Sequence, residues 1–332
     1  MTAPLIGLGF QSDKKPAEYE RLARAAEEAG VDVLSVYGDL GFQPPIVPLT
    51  LMARATERVR LGPACLNPYS LAPYEIAGQS AALDLVSGGR AYLGLSRGSW
   101  LGAVGLAQPR PVRTLREALE VVRRLLDGDD GGFRGDVFRL EPGTRLAYPP
   151  LRRDVPVMIG TWGPRTLALA GEVAQEVKVG GSANPDLVPW VREHIGRGCR
   201  RAGRPADAVG ICLGAVTVVD RDGAAARALA RREVAMYLAV VADLDPTFDV
   251  EPDVMDAVRA EVSEGRHDEA GKAIPPDVLR RFAFAGTPEE VAAQAEEAFA
   301  AGAQRVEFGT PHGIVPEDGV RLIGERVVPA FR

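Results

Sequence analysis

Short apolar runs alternate with longer amphipathic segments along most of this chain. In the first long segment, Tyr19, Leu22, Ala23 and Ala26 recur at helical spacing, and Gly30 follows where a terminating glycine is expected. The apolar runs predict strands over residues 5–9, 33–36, 60–64, 91–95, 155–159, 176–179, 210–219 and 305–308. The amphipathic segments predict helices over residues 16–29, 45–56, 73–86, 111–126, 164–174, 185–202, 223–242 and 288–301.

This alternation of strand and helix determines the predicted fold class. Strands that regularly alternate with helices form parallel sheets, and eight such units indicate a (β/α)8 TIM barrel. We expect one barrel domain over residues 1–332, since such barrels commonly reach this length. An open, doubly wound sheet is the alternative fold.

Two segments interrupt the alternation. Residues 127–154 are rich in Gly and Pro, and the turn signals there predict a small hairpin excursion. Residues 243–282 carry many charges and several prolines, and they predict a helical insertion. A long insertion in a barrel often forms a lid or an interface, although a solvated surface segment is equally compatible with this composition.

Composition excludes several classes of function. The chain has 332 residues, of which 46% are hydrophobic and 25% charged, as in ordinary globular proteins. A net charge of −6 and the lack of a basic stripe argue against nucleic-acid binding. Cys65, Cys199 and Cys212 share no short spacing, so neither a disulfide framework nor a zinc site is indicated. With no signal peptide or membrane-length apolar run in view, we expect a cytoplasmic protein that does not bind membranes.

The loops after the strands are the candidates for chemistry, because ligands of parallel α/β folds bind at the carboxyl ends of strands. Gly9 ends the first strand and Phe10 begins the loop after it; Gly9 is a candidate to contact a cofactor and Phe10 a candidate to contact a substrate. Asp39 follows the second strand, and a carboxylate in such a cleft can orient a cofactor or relay a proton. A turn aspartate that accepts from its own backbone is the alternative for Asp39.

The loop after the third strand contains Ala64, Cys65 and Asn67. Asn67 precedes Pro68, which favours an extended conformation in which the amide can point into the cleft. Cys65 would need a neighbouring base to act as a nucleophile, and none is evident in the sequence. A buried structural thiol is therefore the better interpretation of Cys65.

The next three loops predict an anion-binding wall. After the fourth strand, Arg97 can bind an anion and Trp100 can stack on a ring, or both can close the barrel mouth. After the fifth strand the chain enters a helix directly, and free backbone N–H groups there predict a phosphate cradle. The residues of this wall are Ser96, Arg97, Gly98, Gly160, Thr161, Trp162, Gly163, Pro164, Arg165, Gly180 and Gly181.

His312 follows the eighth strand and is the one histidine of three at the expected active face. An imidazole at this position is a candidate proton donor and substrate contact. A surface loop histidine without catalytic function is the alternative.

Taken together, these loops resemble those of a known family. The matching pieces are LGPACLNPY, LDLVSGGRAYLGL, GTWGPRTLALAGEVAQEVKVGG and FGTPHG with GVRLIGERVVPAF, and they span nearly the whole barrel in order. The chain resembles the bacterial-luciferase-like superfamily, on its deazaflavin-dependent branch typified by methylenetetrahydromethanopterin reductase.

The resemblance implies a barrel that binds coenzyme F420, or alternatively FMN, at the strand carboxyl ends. It also implies a non-prolyl cis peptide behind the central ring, which by motif match is the bond between Ala64 and Cys65. Asn67 corresponds to the family's Asn-Pro segment, and Gly163, Pro164 and Arg165 correspond to its phosphate-binding turn. A homodimer is a further expectation from the family.

The chain departs from the family pattern in two places. Leu40 follows Asp39 where the family often has histidine, and Ser99 occupies a position that is often acidic. We therefore predict an F420-dependent reductase that transfers a hydride between deazaflavin C5 and an activated C=C or C=N bond of a small organic substrate. The alternatives are an FMN-dependent monooxygenase and a non-catalytic ligand-binding barrel.

Overall fold

Eight parallel strands close into a barrel in the computed structural model, which describes residues 3–332. The strands are β1 (Leu5–Phe10), β2 (Val33–Val36), β3 (Arg60–Pro63), β4 (Leu93–Ser96), β5 (Phe133–Arg134), β6 (Arg139–Leu140), β7 (Val157–Gly160), β8 (Glu176–Gly180), β9 (Gly210–Val219), β10 (Ala283–Gly286) and β11 (Arg305–His312). The hydrogen-bonded order is β3-β2-β1-β11-β9-β8-β7-β4, and bridges from Leu61 to Ala91 and from Leu66 to Leu95 join its two ends. The predicted (β/α)8 barrel is therefore confirmed.

Helices cover the outside of this barrel, and most begin with proline in the first turn, where its missing N–H costs no hydrogen bond. Gly30 ends the first helix with φ of 80°, as its position in the sequence predicts. The helices are α1 (Pro16–Glu28), α2 (Ile46–Ala55), α3 (Pro73–Val86), α4 (Pro111–Asp127), α5 (Pro164–Val173), α6 (Leu187–Arg201), α7 (Gly223–Val241), α8 (Pro252–Ser263), α9 (His267–Lys272), α10 (Pro276–Phe282), α11 (Pro288–Ala300) and α12 (Pro316–Leu322).

The main apolar core lies between the strands and the helices, whereas the inside of the barrel is polar. In β1, Ile6, Leu8 and Phe10 are fully buried on the face that packs against helices. On the opposite face, a Cβ at Gly7 would lie 3.4 Å from the side chains of Arg305 and Glu307. Glycine in β1 therefore makes room for large charged side chains in the barrel interior.

The excursion at residues 127–154 forms the predicted hairpin from β5 and β6. The buried carboxylate of Glu117 holds it against α4 by accepting from the backbone N–H groups of Asp136, Val137 and Phe138 at 3.0, 2.8 and 3.1 Å. Because the excursion connects α4 to the start of β7, it lies at the amino ends of the strands. That end of the barrel is remote from the face where ligands bind.

The predicted helical insertion contains α8, α9 and α10, which pack on α7 and form a second apolar cluster. It is followed directly by β10, a strand not predicted from the sequence, which pairs with the carboxyl-terminal part of β9. Trp162 packs against both clusters. The assignment of residues 1–332 to one domain stays a prediction, and its first two residues lie outside the described range. None of the described helices is long and apolar enough to cross a bilayer.

Candidate active site

A cavity of about 1630 Å³ opens at the carboxyl ends of the strands. Single-ligand pockets commonly measure roughly 300–1,000 Å³, so this cavity has room for a cofactor and a second molecule. Most of the residues predicted for the site line it: Asp39, Ala64, Cys65, Ser96, Arg97, Gly98, Trp100, Gly160, Thr161, Trp162, Gly163, Pro164, Arg165, Gly180 and Gly181. The predicted loops therefore converge on one site.

Four predicted site residues are absent from this lining: Gly9, Phe10, Asn67 and His312. Phe10 follows Ile6 and Leu8 at a spacing of two, so its side chain packs among the helices instead of facing the cavity. Gly9 faces the barrel interior, where an added Cβ would collide with the Tyr37 hydroxyl. Asn67 accepts hydrogen bonds from the backbone N–H groups of Tyr69 and Ser70 at 3.1 and 2.9 Å, which shapes the loop before α3.

His312 is buried behind the cavity wall. Its ring lies 4.9 Å from the ring of Phe10, and its Nε2 lies 3.2 Å from the carbonyl oxygen of Phe308. Burial lowers the pKa of the imidazole to about 4, so His312 is neutral near pH 7. The structure does not bring His312 to the place that a proton donor or a substrate contact requires.

The loop after β3 forms one wall of the cavity. The peptide bond between Ala64 and Cys65 is cis, which confirms the bond expected from the family resemblance. Gly160 faces this loop so closely that an added Cβ would lie 2.7 Å from Cys65 Sγ. Burial raises the pKa of the Cys65 thiol to about 11, so the protonated, unreactive thiol predominates near neutral pH.

Asp39 lines the cavity at the end of β2. Burial raises the pKa of its carboxyl group above the ordinary value, and the Gln11 side chain and the Lys178 ammonium offset only part of that effect. A carboxyl group with a raised pKa can hold a proton that an ordinary aspartate would lose. Asp39 is therefore a candidate for proton transfer within the cavity.

The loop after β7 forms a further part of the cavity wall and leads into α5. The Trp162 indole N–H donates to the Gly180 carbonyl oxygen at 2.9 Å, which ties this loop to the end of β8. The Gly163 N–H donates to Thr161 Oγ1 at 3.0 Å and fixes the turn before Pro164. The exposed guanidinium of Arg165 projects from the first turn of α5. Within residues 3–332, Arg165 forms no ion pair, so its charge is available to an anionic ligand.

Lys178 lies in the inner part of the cavity and was not among the site residues predicted from the sequence. Its ammonium is buried in an ion pair with Glu307 and lies 4.7 Å from the centre of the Tyr37 ring. Arg305 Nη1 contacts the same carboxylate at 3.2 Å. The signal that could have identified these residues is a charge at every second position of two buried strands, Glu176 and Lys178 in one and Arg305 and Glu307 in the other.

Large apolar side chains surround the cavity entrance although they are partly exposed to solvent. Phe42 follows β2, Trp100 follows β4, and Met236, Val240 and Leu244 come from the end of α7 and the turn after it. Trp100 is 48% exposed and Phe42 is 46% exposed. Such a rim favours a molecule with an apolar surface above the inner cavity.

Comparisons with known proteins agree with this site. The sequence profile of the luciferase-like monooxygenase family matches residues 5–305. The chain belongs to this family. A 5,10-methylenetetrahydromethanopterin reductase from Archaeoglobus fulgidus is 30% identical to this luciferase-like protein, and the match covers 98% of this chain and 99% of that relative. An F420-dependent glucose-6-phosphate dehydrogenase from Nakamurella multipartita is 31% identical over 62% of this chain and 66% of that enzyme.

The fold of the luciferase-like protein also matches a solved structure along its whole length. The coenzyme F420 dependent tetrahydromethanopterin reductase from Methanopyrus kandleri superposes with a TM-score of 0.92 at 26% identity, and all of both chains is covered. The insertion and the excursion are therefore compatible with the architecture of an F420-dependent reductase.

Proposed function

We propose that this protein is an F420-dependent oxidoreductase that transfers a hydride to or from a small organic substrate. The main structural support is the inner cavity, which is lined by the cis-peptide loop at Ala64 and Cys65 and by Gly160, packed directly against it. The relatives named above act with F420 or reduce a pterin, and they match this chain along most of its length. Reduction of an activated C=C or C=N bond is the reaction that we favour.

The residues of the cavity fit such a cofactor. Gly160 packs directly against Cys65, since an added Cβ there would lie 2.7 Å from Cys65 Sγ. Both residues line the cavity, so the cis-peptide loop can back one face of a planar ring. Arg97, Arg110 and Arg165 line the outer part of the cavity, and none of them forms an ion pair within the described chain. Their guanidinium groups suit the phosphate of the cofactor's side chain. When bound, F420 supplies or accepts the hydride at C5 of its ring.

The protein's own contribution is to orient the reactants, exclude water and handle the accompanying proton. The apolar rim around Trp100 and Met236 supports a role in covering the acceptor. Asp39 is the proposed proton donor, since its carboxyl group lines the cavity and its pKa is raised by burial. This assignment replaces His312 in that role.

A cofactor titration tests the proposed function directly. Purified protein is titrated separately with F420 and FMN, and binding is followed by the absorbance and fluorescence of each chromophore. We expect saturable binding of F420 and much weaker binding of FMN. Tight binding of FMN without binding of F420 would instead support a monooxygenase, and binding of F420 without turnover would support a non-catalytic barrel.

Arg165→Ala should weaken F420 binding by roughly tenfold, because a charge-assisted contact to phosphate is lost at the start of α5. The same titration measures the change in Kd. Arg200→Ala is the matched control, since Arg200 is an exposed arginine on α6 outside the cavity lining. An equal loss of affinity in both variants would show that general surface charge, and not Arg165, holds the cofactor.

We also infer that the protein is a homodimer in solution, as expected for the family. Tyr74, Leu85 and Val86 on α3 are exposed apolar residues, and Val47 on the adjoining α2 is 52% exposed. Leu151 lies beside the end of α3 and is 50% exposed. Apolar patches of this kind often cover each other between subunits. The free thiols of Cys65, Cys199 and Cys212 support a reducing compartment such as the cytoplasm.

The double variant Leu85→Asp/Val86→Asp should convert the dimer into a monomer, because two charges would be buried at the contact. Light scattering after size exclusion should then give the mass of one 35.3 kDa chain. Val315→Asp serves as the control, since Val315 is 53% exposed in a loop away from α3. A wild-type protein that is already monomeric would refute the proposed dimer.

A further inference from the structure

The interior of the barrel contains a chain of alternating charges that ends at the cavity. Glu176 Oε2 lies 2.8 Å from Arg305 Nη2, and Arg305 Nη1 lies 3.2 Å from Glu307 Oε2. Glu307 then pairs with Lys178. Glu176 and Arg305 begin their strands, whereas Lys178 and Glu307 lie two residues further along. The cationic end of this chain therefore points toward the active face.

Lys178 differs from the other members because it alone lines the cavity. Glu307 already shares its carboxylate among Lys178, Arg305 and the Ser35 hydroxyl. An ammonium group carries three N–H donors, and Glu307 is the one hydrogen-bond acceptor that Lys178 has within residues 3–332. Two donors of a nearly buried ammonium are thus left for a ligand in the inner cavity.

The surroundings keep Lys178 charged. Burial alone would lower the pKa of its ammonium, but the neighbouring Glu307 carboxylate outweighs burial and holds that pKa above the ordinary value. The titratable and charged groups around Lys178, from every side of the barrel, are Glu176, Cys212, Arg305 and Glu307 on strands, Tyr92 at the start of β4, and Tyr37, Asp39 and Cys65 in loops. Among those that face the cavity, Asp39 is the other ionisable carboxyl group, and burial raises its pKa above the ordinary value.

We propose that Lys178 is the fixed positive charge of the inner cavity and that it stabilises the anionic form of the bound deazaflavin ring. The proposal rests on the proposed function. The phenolic hydroxyl and the pyrimidine oxygen of such a ring share one negative charge when the ring ionises. A protein cation held near that delocalised charge tunes the electronics of a bound cofactor. Lys178 would thereby favour the ionised ring over its neutral form.

The test uses the absorbance of F420 bound to saturating protein as a function of pH. In Lys178→Met, the midpoint of ring ionisation should move up by about one pH unit relative to wild type, which corresponds to tenfold weaker stabilisation of the anion. The Kd for F420 above that midpoint should rise by roughly the same factor. No movement of the midpoint in Lys178→Met would overturn the proposal, and a second variant separates the loss of the Lys178 cation from the unpaired charge that Glu307 then carries.

A second variant protects this test against loss of folding. Lys178→Met leaves Glu307 with Arg305 as its one cation, whereas Lys178→Met/Glu307→Gln removes both members of the pair and keeps the buried charge balanced. Because the Glu307 charge is also removed, the double variant should still move the midpoint up, but by less than Lys178→Met. If Lys178 only neutralises Glu307, the double variant keeps the wild-type midpoint, and the proposal is overturned. Wild-type protein that does not bind F420 at all would refute the proposed function. Binding with one common midpoint in all variants would refute only the role of Lys178.

Discussion

Replacing Asp39 by asparagine should lower kcat for hydride transfer by at least about 100-fold, the usual contribution of a positioned general acid. Asparagine keeps the size of the side chain and its place in the cavity but has no carboxyl proton to transfer. The affinity for F420 should stay close to that of wild type, since Arg97, Arg110 and Arg165 are unchanged. Turnover is followed by the absorbance change of F420, and affinity by direct titration.

The pH dependence separates this role from a structural one. Because the pKa of Asp39 is raised, wild-type kcat should fall as pH rises through that pKa and the proton is lost. This alkaline decline should be absent from the residual activity of Asp39→Asn. Asp13→Asn is the matched control, since Asp13 also lines the cavity but is half exposed and pairs with Lys14 at 2.6 Å. Equal losses in the two variants would exclude a specific role for Asp39.

Arg305→Met should lower the free energy of unfolding by about 3–5 kcal/mol, the cost of removing one partner from a buried ion pair. The guanidinium of Arg305 is fully buried and contacts Glu176, Glu307 and the Met158 sulfur, the last at 3.1 Å. Methionine fills much of the same volume but leaves two carboxylates without their common cation. Urea denaturation followed by circular dichroism measures the loss.

A surface pair provides the control for that experiment. Arg326 contacts Glu289 at 2.7 Å with both side chains exposed, so Arg326→Met should cost less than about 1 kcal/mol. The pH dependence gives a further check. Burial would raise the pKa of Glu307, but Lys178 and Arg305 outweigh burial and hold it below the ordinary value. The contribution of Glu307 to the free energy of unfolding of the wild-type protein should therefore decline as pH falls below the ordinary carboxyl range. This decline should be smaller in Arg305→Met.

Local pattern was sufficient to predict the barrel, because each strand and helix carries its own signal. Pro73 and the glycines after Val86 delimit α3, and the β-branched run of β9 reads as one strand, so both were predicted with the correct bounds. The short strand Ala283–Gly286 was not predicted, since it follows α10 directly at the end of the charged insertion without a turn signal. A run of four small and aromatic residues has too little periodicity to identify a strand.

Within the site, loops were easier to predict than the directions of side chains. The position of Phe10 was predictable, since it shares the period of Ile6 and Leu8, but the site prediction treated it as part of the loop. The strand that contains His312, β11, continues past Phe308, where the predicted strand ended, and its register to β9 is irregular there. The two-residue alternation of side chains along a strand therefore could not determine where the His312 ring lies. Lys178 was overlooked because its partners, Glu307 and Arg305, lie far away in sequence and come together only when the barrel closes.

The hairpin held by Glu117 has a practical consequence for handling the protein. The segment that leads from α4 into this hairpin, at Asp129, Asp130 and Gly131, is exposed and lies at the end of the barrel opposite the cavity. A short tag inserted there would anchor the protein to a solid support with its entrance facing the bulk solution. Immobilisation through this segment therefore leaves both reactants free to diffuse in and out, whereas attachment near α7 would obstruct them.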